Sequence, residues 1–207
     1  MKIRTHGISA HGAAPELGVN AIYEMAEIIQ RVEQTNLELM QKGGRRSTLV
    51  LSQISSTAVS LNAVPSACEA YLDRRMVVGE TEQIIRDEMD RLIAGKNATW
   101  EIDTLRRVTW TGEEITYEPY HLAWEISLEA PLARALMAAY GDTFGSLPGE
   151  FTYWDFSTNA VALVPSGIPT IGFGPGESKM AHTRDERCEI SQILEACAFY
   201  IQAIDRL

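Results

Sequence analysis

The feature that most constrains the fold is the order of two periodicities in the first half of the chain. Apolar residues recur at helical spacing from Ile22 to Val32 and again from Ile84 to Leu92. Four β-rich or alternating segments surround these helices, at 2–8, 48–54, 68–77 and 99–105. The resulting order, β-α-β-β-α-β, predicts a ferredoxin-like α+β domain in which both helices cover one face of an antiparallel sheet.

Local signals predict where the two helices begin and end. Asn20 is a good N-cap, because its side chain can accept a hydrogen bond from a helical N–H group, and Gly43-Gly44 is expected to end the first helix. The second helix is expected from Thr81 to about Ala94. Each helix therefore presents one apolar stripe to the sheet.

The second half of the chain predicts an incomplete α/β domain. Its expected helices are at 131–144, 157–164 and 189–204, and its short strands are at 151–153 and 170–173. Two strands and three helices leave sheet edges unpaired and apolar faces uncovered, which is typical of part of a larger parallel sheet. The chain is therefore divided into a first domain at 1–107, an interdomain hinge at 108–122 and a C-terminal α/β segment at 123–207.

Composition excludes several classes of function. A net charge of −10 without a long Lys/Arg cluster repels phosphate backbones, so nucleic acid is not an expected partner. Three cysteines without a CxxC pair favour reduced thiols and a cytoplasmic location. The longest apolar run, 160–164, is too short to span a bilayer, and no signal peptide or membrane segment is expected. Because patterned sequence begins at once, we expect either an abrupt gene start or a missing upstream segment.

Two histidines occupy positions where chemistry is expected. His182 follows the carboxyl end of a predicted strand, where open α/β sheets place their sites, and is either a metal ligand or a surface histidine in a loop. His11 lies among small residues at a strand-to-helix turn, so its imidazole could donate a hydrogen bond to an oxyanion. The alternative for His11 is a turn residue without a function. His6 and His121 stand in no such context, and no function is assigned to them.

One arginine is a candidate ligand for a substrate carboxylate. Arg75 alternates with Asp73 on a predicted strand, and its guanidinium could hold a carboxylate by two parallel bonds, although a cross-strand salt bridge is commoner. Glu113-Glu114 is rejected as a catalytic pair, because it lies in the hinge segment, where a solvated charge pair is expected. The motifs HExxH, HxD and GxSxG and the nucleotide-binding loops do not occur, so no complete catalytic constellation can be assembled.

Four ordered motifs carry a resemblance to a known family. They are residues 9–15 (Ser-Ala-His-Gly-Ala-Ala-Pro) with 18–22 (Gly-Val-Asn-Ala-Ile), 61–65 (Leu-Asn-Ala-Val-Pro), 73–75 (Asp-Arg-Arg), and 172–176 (Gly-Phe-Gly-Pro-Gly) with His182 and Asp185-Glu186. Together they resemble the C-terminal half of the two-zinc deacylases and peptidases, which include acetylornithine deacetylase, succinyl-diaminopimelate desuccinylase and glutamate carboxypeptidase. The first domain is similar to that family's lid, or dimerisation, domain. Residues 154–159 and the lid as a whole most resemble its selenium-metabolism hydrolase branch.

The resemblance implies functions for five residues. His182 would be a ligand to one of two zinc ions, and His11 would reach from the lid of one subunit into its dimer partner's active site to stabilise an oxyanion. Asn62, Arg75 and Thr158 would contact the substrate, with Arg75 binding its carboxylate. The family's N-terminal half carries an HxD ligand pair, a bridging aspartate, a glutamate general base and a further carboxylate ligand. None of these occurs here.

The implied function is that of a zinc-dependent amidohydrolase acting on an N-acyl amino acid or a dipeptide-like amide. Because most metal ligands are absent, we expect a chain that is inactive alone, forms a homodimer through its lid, and has a catalytic half that is missing or supplied separately. The family usually has aspartate where this chain has Asn159, so no role is assigned there. The alternative is a non-catalytic dimerisation or small-ligand-binding module, which gives no reason to retain His11 and His182 in their motifs.

Overall fold

A computed structural model describes residues 1–42, 45–58, 60–148, 151–154 and 156–207. Gly43-Gly44, where the first helix is predicted to end, and Asp155 in the 154–159 motif lie outside the described residues. The chain forms two compact units, Met1–Ala123 and Trp124–Leu207, hereafter the first and the second unit.

The first unit contains the predicted β-α-β-β-α-β order. Its four sheet strands are β1 (Lys2–His6), β2 (Thr48–Ser56), β3 (Ala67–Arg75) and β4 (Ala98–Glu101). Its two helices are α1 (Ala21–Gln41) and α2 (Glu82–Ile93). The strands pair antiparallel in the order β2-β3-β1-β4, so β2 and β4 are the edge strands. The ferredoxin-like fold expected from the periodicities is confirmed.

Side-chain caps begin both helices. The Asn20 side-chain oxygen accepts a hydrogen bond from the Ile22 N–H at 2.9 Å, and the Thr81 hydroxyl accepts one from the Ile84 N–H at 3.3 Å. These bonds satisfy N–H groups that have no partner within the helix, which explains why helical structure begins here. The helix starts predicted at Asn20 and Thr81 are confirmed.

One apolar core lies between the sheet and the two helices. Ile3, Leu49 and Leu72 from the strands are buried together with Ile28 from α1 and Met89 from α2. Full burial of an aliphatic side chain contributes about 1.5–3 kcal/mol, from which the entropy lost on ordering must be subtracted. Because one core contains residues of both helices, the two helices cover the same face of the sheet, as expected.

A buried ion cluster joins β3 to α2 and to the segment that precedes it. The Arg74 side chain, 2% exposed, donates to Glu80 Oε1 at 2.6 Å and to Glu88 Oε1 at 2.9 Å. Burial raises the pKa of Glu80, but hydrogen bonds from Arg74 and the Val77 N–H outweigh it, so the pKa lies below its ordinary value. Sequence reasoning missed Arg74, although the alternation that places Leu72 inside places Arg74 on the same side.

A β-hairpin follows the sheet and corrects two predictions. The last sheet strand ends at Glu101 rather than near residue 105, and β5 (Leu105–Val108) pairs with β6 (Glu114–Tyr117) in a segment predicted to be irregular. The turn closes through a hydrogen bond from the Thr109 N–H to the Glu113 oxygen at 2.8 Å, with Gly112 at φ +86°. A left-handed glycine in a tight turn creates this hairpin, and the polar composition concealed it.

Besides two short 3₁₀ turns, the described part of the second unit contains three α-helices. They are α3 (Pro131–Phe144), α4 (Ala160–Leu163) and α5 (Ile190–Ile204). The helices predicted at 131–144 and 189–204 are confirmed, with Glu189 as the N-cap residue of α5. The helix predicted at 157–164 is wrong in extent, because α4 has 4 residues and passes into a 3₁₀ turn that contains Pro165.

The two strands predicted in the second unit are not observed in the ranges that the structure describes. Residues 151–154 and 168–174 there belong to neither a helix nor a sheet. Strand propensity creates a strand only where a neighbouring strand completes the hydrogen-bonded ladder. The strand predictions at 151–153 and 170–173 are therefore wrong for the described chain. Over the same ranges, no helix has the length and apolar character needed to cross a membrane.

Candidate active site

The loop that carries His11 is bonded by its backbone to the loop that carries Asn62. The Gly12 N–H donates to the Asn62 oxygen at 2.7 Å, and the Val64 N–H donates to the Ala10 oxygen at 2.8 Å. A Cβ at Gly12 would stand 2.8 Å from the Asn62 oxygen, so the approach requires glycine. The fold thus brings together two predicted site residues that are far apart in sequence.

The His11 ring is held in one tautomer. Its Nδ1 accepts a hydrogen bond from the Ala13 N–H at 3.0 Å. Because Nδ1 accepts, the proton of the neutral imidazole is on Nε2, and Nε2–H is the donor that this exposed residue can offer to a ligand. A donor with a fixed position is what stabilisation of an oxyanion needs.

Arg75 is paired with Asp73 on the same strand. Its Nε and Nη2 lie 3.1 and 2.9 Å from Asp73 Oδ2, and the two side chains are 53% and 44% exposed. A salt bridge is thus present, within β3 rather than across strands. An exposed pair of this kind contributes at most about 1 kcal/mol, so a ligand carboxylate could replace Asp73 at small cost.

The fold also places His121, to which the sequence assigned no function, within electrostatic range of Arg75. Burial lowers the pKa of His121, and the positive charge of Arg75 lowers it further. Both effects favour the neutral form of the His121 ring beside Arg75. No local motif joins the two residues, since His121 lies beyond β6.

His11 and Arg75 lie toward opposite ends of the sheet in the first unit. In the antiparallel register, the end of β1 at His6 faces Ala67, the first residue of β3, whereas Arg75 is its last. At about 3.4 Å per residue, eight steps along β3 span roughly 27 Å. Because the His11 loop continues beyond the Ala67 end, His11 and Arg75 do not share a site within one copy of this unit.

Thr158, in the second unit, precedes the N-cap residue of the short helix α4 and accepts hydrogen bonds from its first turn. Its hydroxyl oxygen accepts a hydrogen bond from the Ala160 N–H, and its carbonyl oxygen accepts one from the Val161 N–H, both at 3.2 Å. Among the residues that the structure describes, none accepts the Thr158 hydroxyl hydrogen, and the side chain is half-buried. Thr158 therefore has a local structural function and keeps a donor for a ligand.

His182 has a backbone conformation that is rare for a residue with a side chain. Its φ is +61°, in the left-handed region, and no other non-glycine residue in the described ranges has a positive φ. Its N–H donates to Glu186 Oε2 at 3.1 Å, and the residue is exposed. Backbone strain of this kind is commonest at functional sites, where the surrounding turn fixes the position of a side chain.

The described residues do not form a metal site on their own. No group of three or more His, Cys, Asp or Glu side chains that could hold an ion occurs among them. A zinc ion needs three or four protein ligands. His182 is therefore one ligand at most, and the two zinc ions implied by the resemblance do not fit the described part of this chain alone.

A cavity of about 160 Å³ lies beside the His182 loop, at the start of α5. Its lining includes Arg187, Cys188 and the ion pair of Glu177 with Lys179, whose charged atoms are 2.6 Å apart. None of the five predicted site residues lines this cavity. Ligand pockets usually have volumes of about 300–1,000 Å³, so the cavity is too small for a dipeptide-like substrate.

Comparison with known proteins identifies the first part of the chain. The model of the family described as the peptidase dimerisation domain matches residues 1–101. Over residues 1–101, this chain is similar to the peptidase dimerisation domain family. The match includes all four sheet strands, α1 and α2, and three of the predicted site residues, His11, Asn62 and Arg75.

Relatives extend the similarity over nearly the whole chain. The YgeY protein of Escherichia coli (strain K12) is 36% identical over 208 residues, which cover 97% of this chain and 50% of YgeY. Succinyl-diaminopimelate desuccinylase of Corynebacterium glutamicum is 24% identical over 98% of this chain and 50% of its own length. The chain thus spans about half the length of the curated relatives it matches.

A solved structure shares the fold. The M20 family metallo-carboxypeptidase Sso-CP2 from Sulfolobus solfataricus is similar over 98% of this chain and 57% of its own, with a TM-score of 0.61 and 15% identity. The predicted resemblance to the C-terminal half of a deacylase and peptidase family is therefore confirmed. The zinc ions, the substrate and the functions of the five site residues stay predictions.

Proposed function

We propose that this chain is part of a zinc-dependent amidohydrolase that cleaves an N-acyl amino acid or a dipeptide-like amide. It is inactive until a catalytic half supplies the remaining metal ligands. The observation that carries the proposal is the His11 ring, whose Nδ1 accepts the Ala13 N–H at 3.0 Å and whose Nε2–H is the remaining donor. Amide hydrolysis develops negative charge on the carbonyl oxygen, and a fixed N–H donor stabilises that charge.

His11 acts in the active site of a second subunit. Within one first unit, roughly 27 Å of strand separates the ends of the sheet near His11 and Arg75, yet the resemblance assigns both residues to one substrate. A homodimer resolves this conflict, because His11 of one subunit can join Arg75 of the other. Asn62, bonded to the same loop as His11, would contact the substrate there. The description of the matched family as a dimerisation domain supports the dimer.

The surface through which two copies pair is the edge strand β2. This strand has 9 residues and is paired with β3 alone in the described sheet. Val50 and Ile54 on it are each 48% exposed. A long edge strand with exposed apolar side chains is a template for pairing with a second copy. Pairing at β2 would join the two four-stranded sheets into one.

Arg75 and Thr158 select the substrate. A substrate carboxylate offers the same acceptor oxygens as Asp73 and can replace it at the exposed guanidinium of Arg75. The Thr158 hydroxyl can donate to a carbonyl or carboxylate oxygen. His182 would hold one zinc ion, and the other ligands would come from the half of the enzyme that the relatives have outside the matched region.

Zinc content and amide hydrolysis, measured together, test this proposal. We expect near-zero zinc per purified, dialysed chain and no hydrolysis of N-acetyl or N-succinyl amino acids or of dipeptides. Co-expression with the region of YgeY that this chain does not match should give bound zinc and zinc-dependent hydrolysis. Two zinc ions held by this chain alone, or hydrolysis by it alone, would refute the expectation of an inactive half. Zinc binding without hydrolysis of any amide would refute the amidohydrolase.

A further inference from the structure

The buried ion cluster around Arg74 also binds the backbone of Arg75. Arg74 Nη1 donates to the Arg75 carbonyl oxygen at 2.6 Å. The Ser47 hydroxyl accepts a hydrogen bond from the same Nη1 at 2.5 Å and lies 3.2 Å from both the Arg75 oxygen and Glu80 Oε1, to which it can donate its one hydrogen. Ser47 is itself buried. Two side chains of the cluster thus hold the carbonyl group of the residue that the proposed function assigns to substrate binding.

The two glutamates of the cluster fix the plane of the Arg74 guanidinium. Glu80 Oε1 and Oε2 lie 2.6 and 3.2 Å from Nη2 and Nη1, and Glu88 Oε1 lies 2.9 Å from Nε. A planar guanidinium that is bound along two edges cannot turn within the cluster. Glu80 is held in turn, because its Oε2 accepts the Val77 N–H at 2.9 Å. The position of the Arg75 carbonyl is therefore set by a network that extends to α2.

Arg75 stands at a point where the sheet ends. It is the last residue of β3 and pairs with Thr48, the first residue of β2, and the described residues 76–80 belong to no strand. Hydrogen bonds at the ends of elements open more easily than those inside them. Because side chains alternate along a strand, Arg74 lies on the core side, whereas Arg75, 53% exposed, lies on the outer side. The backbone of Arg75 is thus anchored from the core, and its guanidinium is presented outside.

Stability alone does not account for charged groups at this place. A buried ion pair can often be replaced by apolar side chains of similar size without loss of stability, whereas charged groups with directional bonds select one geometry. We propose that Arg74 and Ser47 are positioning residues, which act through Arg75 and hold its guanidinium where a substrate carboxylate binds. A residue that is ordered before binding loses less entropy when it binds. The inference rests on the proposed function for the assignment of a carboxylate to Arg75.

The mobility of the Arg75 carbonyl can be measured in the full chain without any ligand. The Met76 N–H lies in the same peptide plane as this carbonyl, so its order parameter, from ¹⁵N relaxation, reports on the anchor. We expect about 0.85 in the unmodified chain, the value of rigid backbone, and a fall toward about 0.6 in Arg74→Lys. A lysine ammonium is a single point charge and cannot bind both glutamates and the Arg75 carbonyl together.

Two further variants separate the anchor from general destabilisation. Ser47→Ala removes one of the two groups that hold the Arg75 carbonyl, and it should give an intermediate order parameter at Met76 even if Arg74→Lys does not fold. Glu88→Gln is the matched control, because Glu88 binds Nε and Nη2 of Arg74, whereas the carbonyl is bound by Nη1. Glu88→Gln should lower the urea midpoint and leave the Met76 order parameter unchanged.

Kinetics of the assembly with the YgeY region measure the effect on the substrate. Ser47→Ala should raise KM for an N-acetyl amino acid about 2- to 10-fold, the factor that corresponds to one hydrogen bond. It should leave kcat nearly unchanged, because a carboxylate away from the scissile amide is bound equally in the ground state and the transition state. Glu88→Gln should change neither KM nor kcat.

The inference is wrong if the Met76 order parameter in Ser47→Ala equals that of the unmodified chain. It is also wrong if Glu88→Gln lowers this order parameter as much as Ser47→Ala does, because the effect would then follow stability. A lower order parameter in Ser47→Ala without a higher KM would likewise overturn it. An assembly without amide hydrolysis would refute the proposed function, and the order parameters, which need neither zinc nor substrate, would still decide whether the cluster anchors Arg75.

Discussion

Replacement of Arg74 by alanine should destabilise the first unit far more than the same change at its neighbour Arg75. The Arg74 side chain is 2% exposed, and its partners Glu80 and Glu88 are 14% and 5% exposed. Removal of the guanidinium leaves both carboxylates buried without their cation. Breaking a buried ion pair in this way costs about 3–5 kcal/mol, because the remaining charge is neither solvated nor paired.

Arg75→Ala is the matched control for this change. The residue type and the strand are the same, but the Arg75 side chain is 53% exposed, and Asp73, its ion-pair partner among the described residues, is 44% exposed. An exposed pair contributes about 0–1 kcal/mol. The expected difference between the variants is therefore about 2–5 kcal/mol, a large share of the roughly 5–15 kcal/mol by which a typical domain is stable.

Urea denaturation of the full chain, followed by far-UV circular dichroism and tryptophan fluorescence, measures the difference. Because the chain has two compact units, separate transitions are expected and each is fitted by itself. Trp100 reports on the first unit, since it packs against the core and its indole N–H donates to Asp90 at 2.7 Å. Equal destabilisation by Arg74→Ala and Arg75→Ala would show that the cluster contributes no more than a surface pair.

Three further perturbations test other parts of the structure. Because the pKa of Glu80 is lowered in the folded state, its contribution to stability is present above its ordinary pKa of 4.5 and is lost as the pH falls toward the folded-state pKa. In a plot of the urea midpoint against pH, Glu80→Gln should therefore reduce the fall in the midpoint at acid pH. Gly12→Ala should lower Tm, because the added Cβ would stand 2.8 Å from the Asn62 oxygen. Gly141→Ala is the control: its Cβ would lie 3.7 Å from Leu147 Cδ2, and the change should stabilise α3 by about 0.5–1 kcal/mol. In the assembly with the YgeY region, His11→Ala should lower kcat about 10²–10³-fold without changing the zinc content. His6→Ala is the control and should leave kcat unchanged. If His11→Ala changes KM alone, His11 does not stabilise an oxyanion.

The sequence predicts the first unit well because each of its elements finds its partners within the chain. The stripe from Ile22 to Val32 and the alternation that buries Leu72 both describe faces of one core that is present in full. The hairpin of β5 and β6 was missed because it depends on one turn with Gly112 at positive φ, which leaves little trace in a polar, aromatic segment. The strand predicted at residues 170–173 is wrong for the opposite reason. These residues have strand propensity, but no neighbouring strand in the described chain completes a hydrogen-bonded ladder with them.

The sequence indicates the individual candidate site residues, but it does not indicate how they are arranged in space. Motifs indicate His11 and Asn62 separately, while their proximity depends on a backbone bond from Gly12, for which glycine is the one local signal. The approach of His121 to Arg75 follows from the tertiary fold alone, and neither periodicity nor spacing could reveal it. That His11 and Arg75 lie toward opposite ends of the sheet could likewise be recognised only from the pairing register of β1 with β3.

The orientation of the His11 ring is fixed by hydrogen bonds within the first unit. The bond from the Ala13 N–H selects the tautomer, and the backbone pairing with the Asn62 loop holds the turn that carries it. Zinc binding, by contrast, would require ligands that the described chain does not assemble around His182. Under the proposed function, the two contributions to an amidohydrolase therefore separate physically: the oxyanion donor is held within the first unit, and the metal site would form only with ligands from the separate catalytic half. The same proposal predicts that the chain without its catalytic half has no turnover but keeps the geometry of His11.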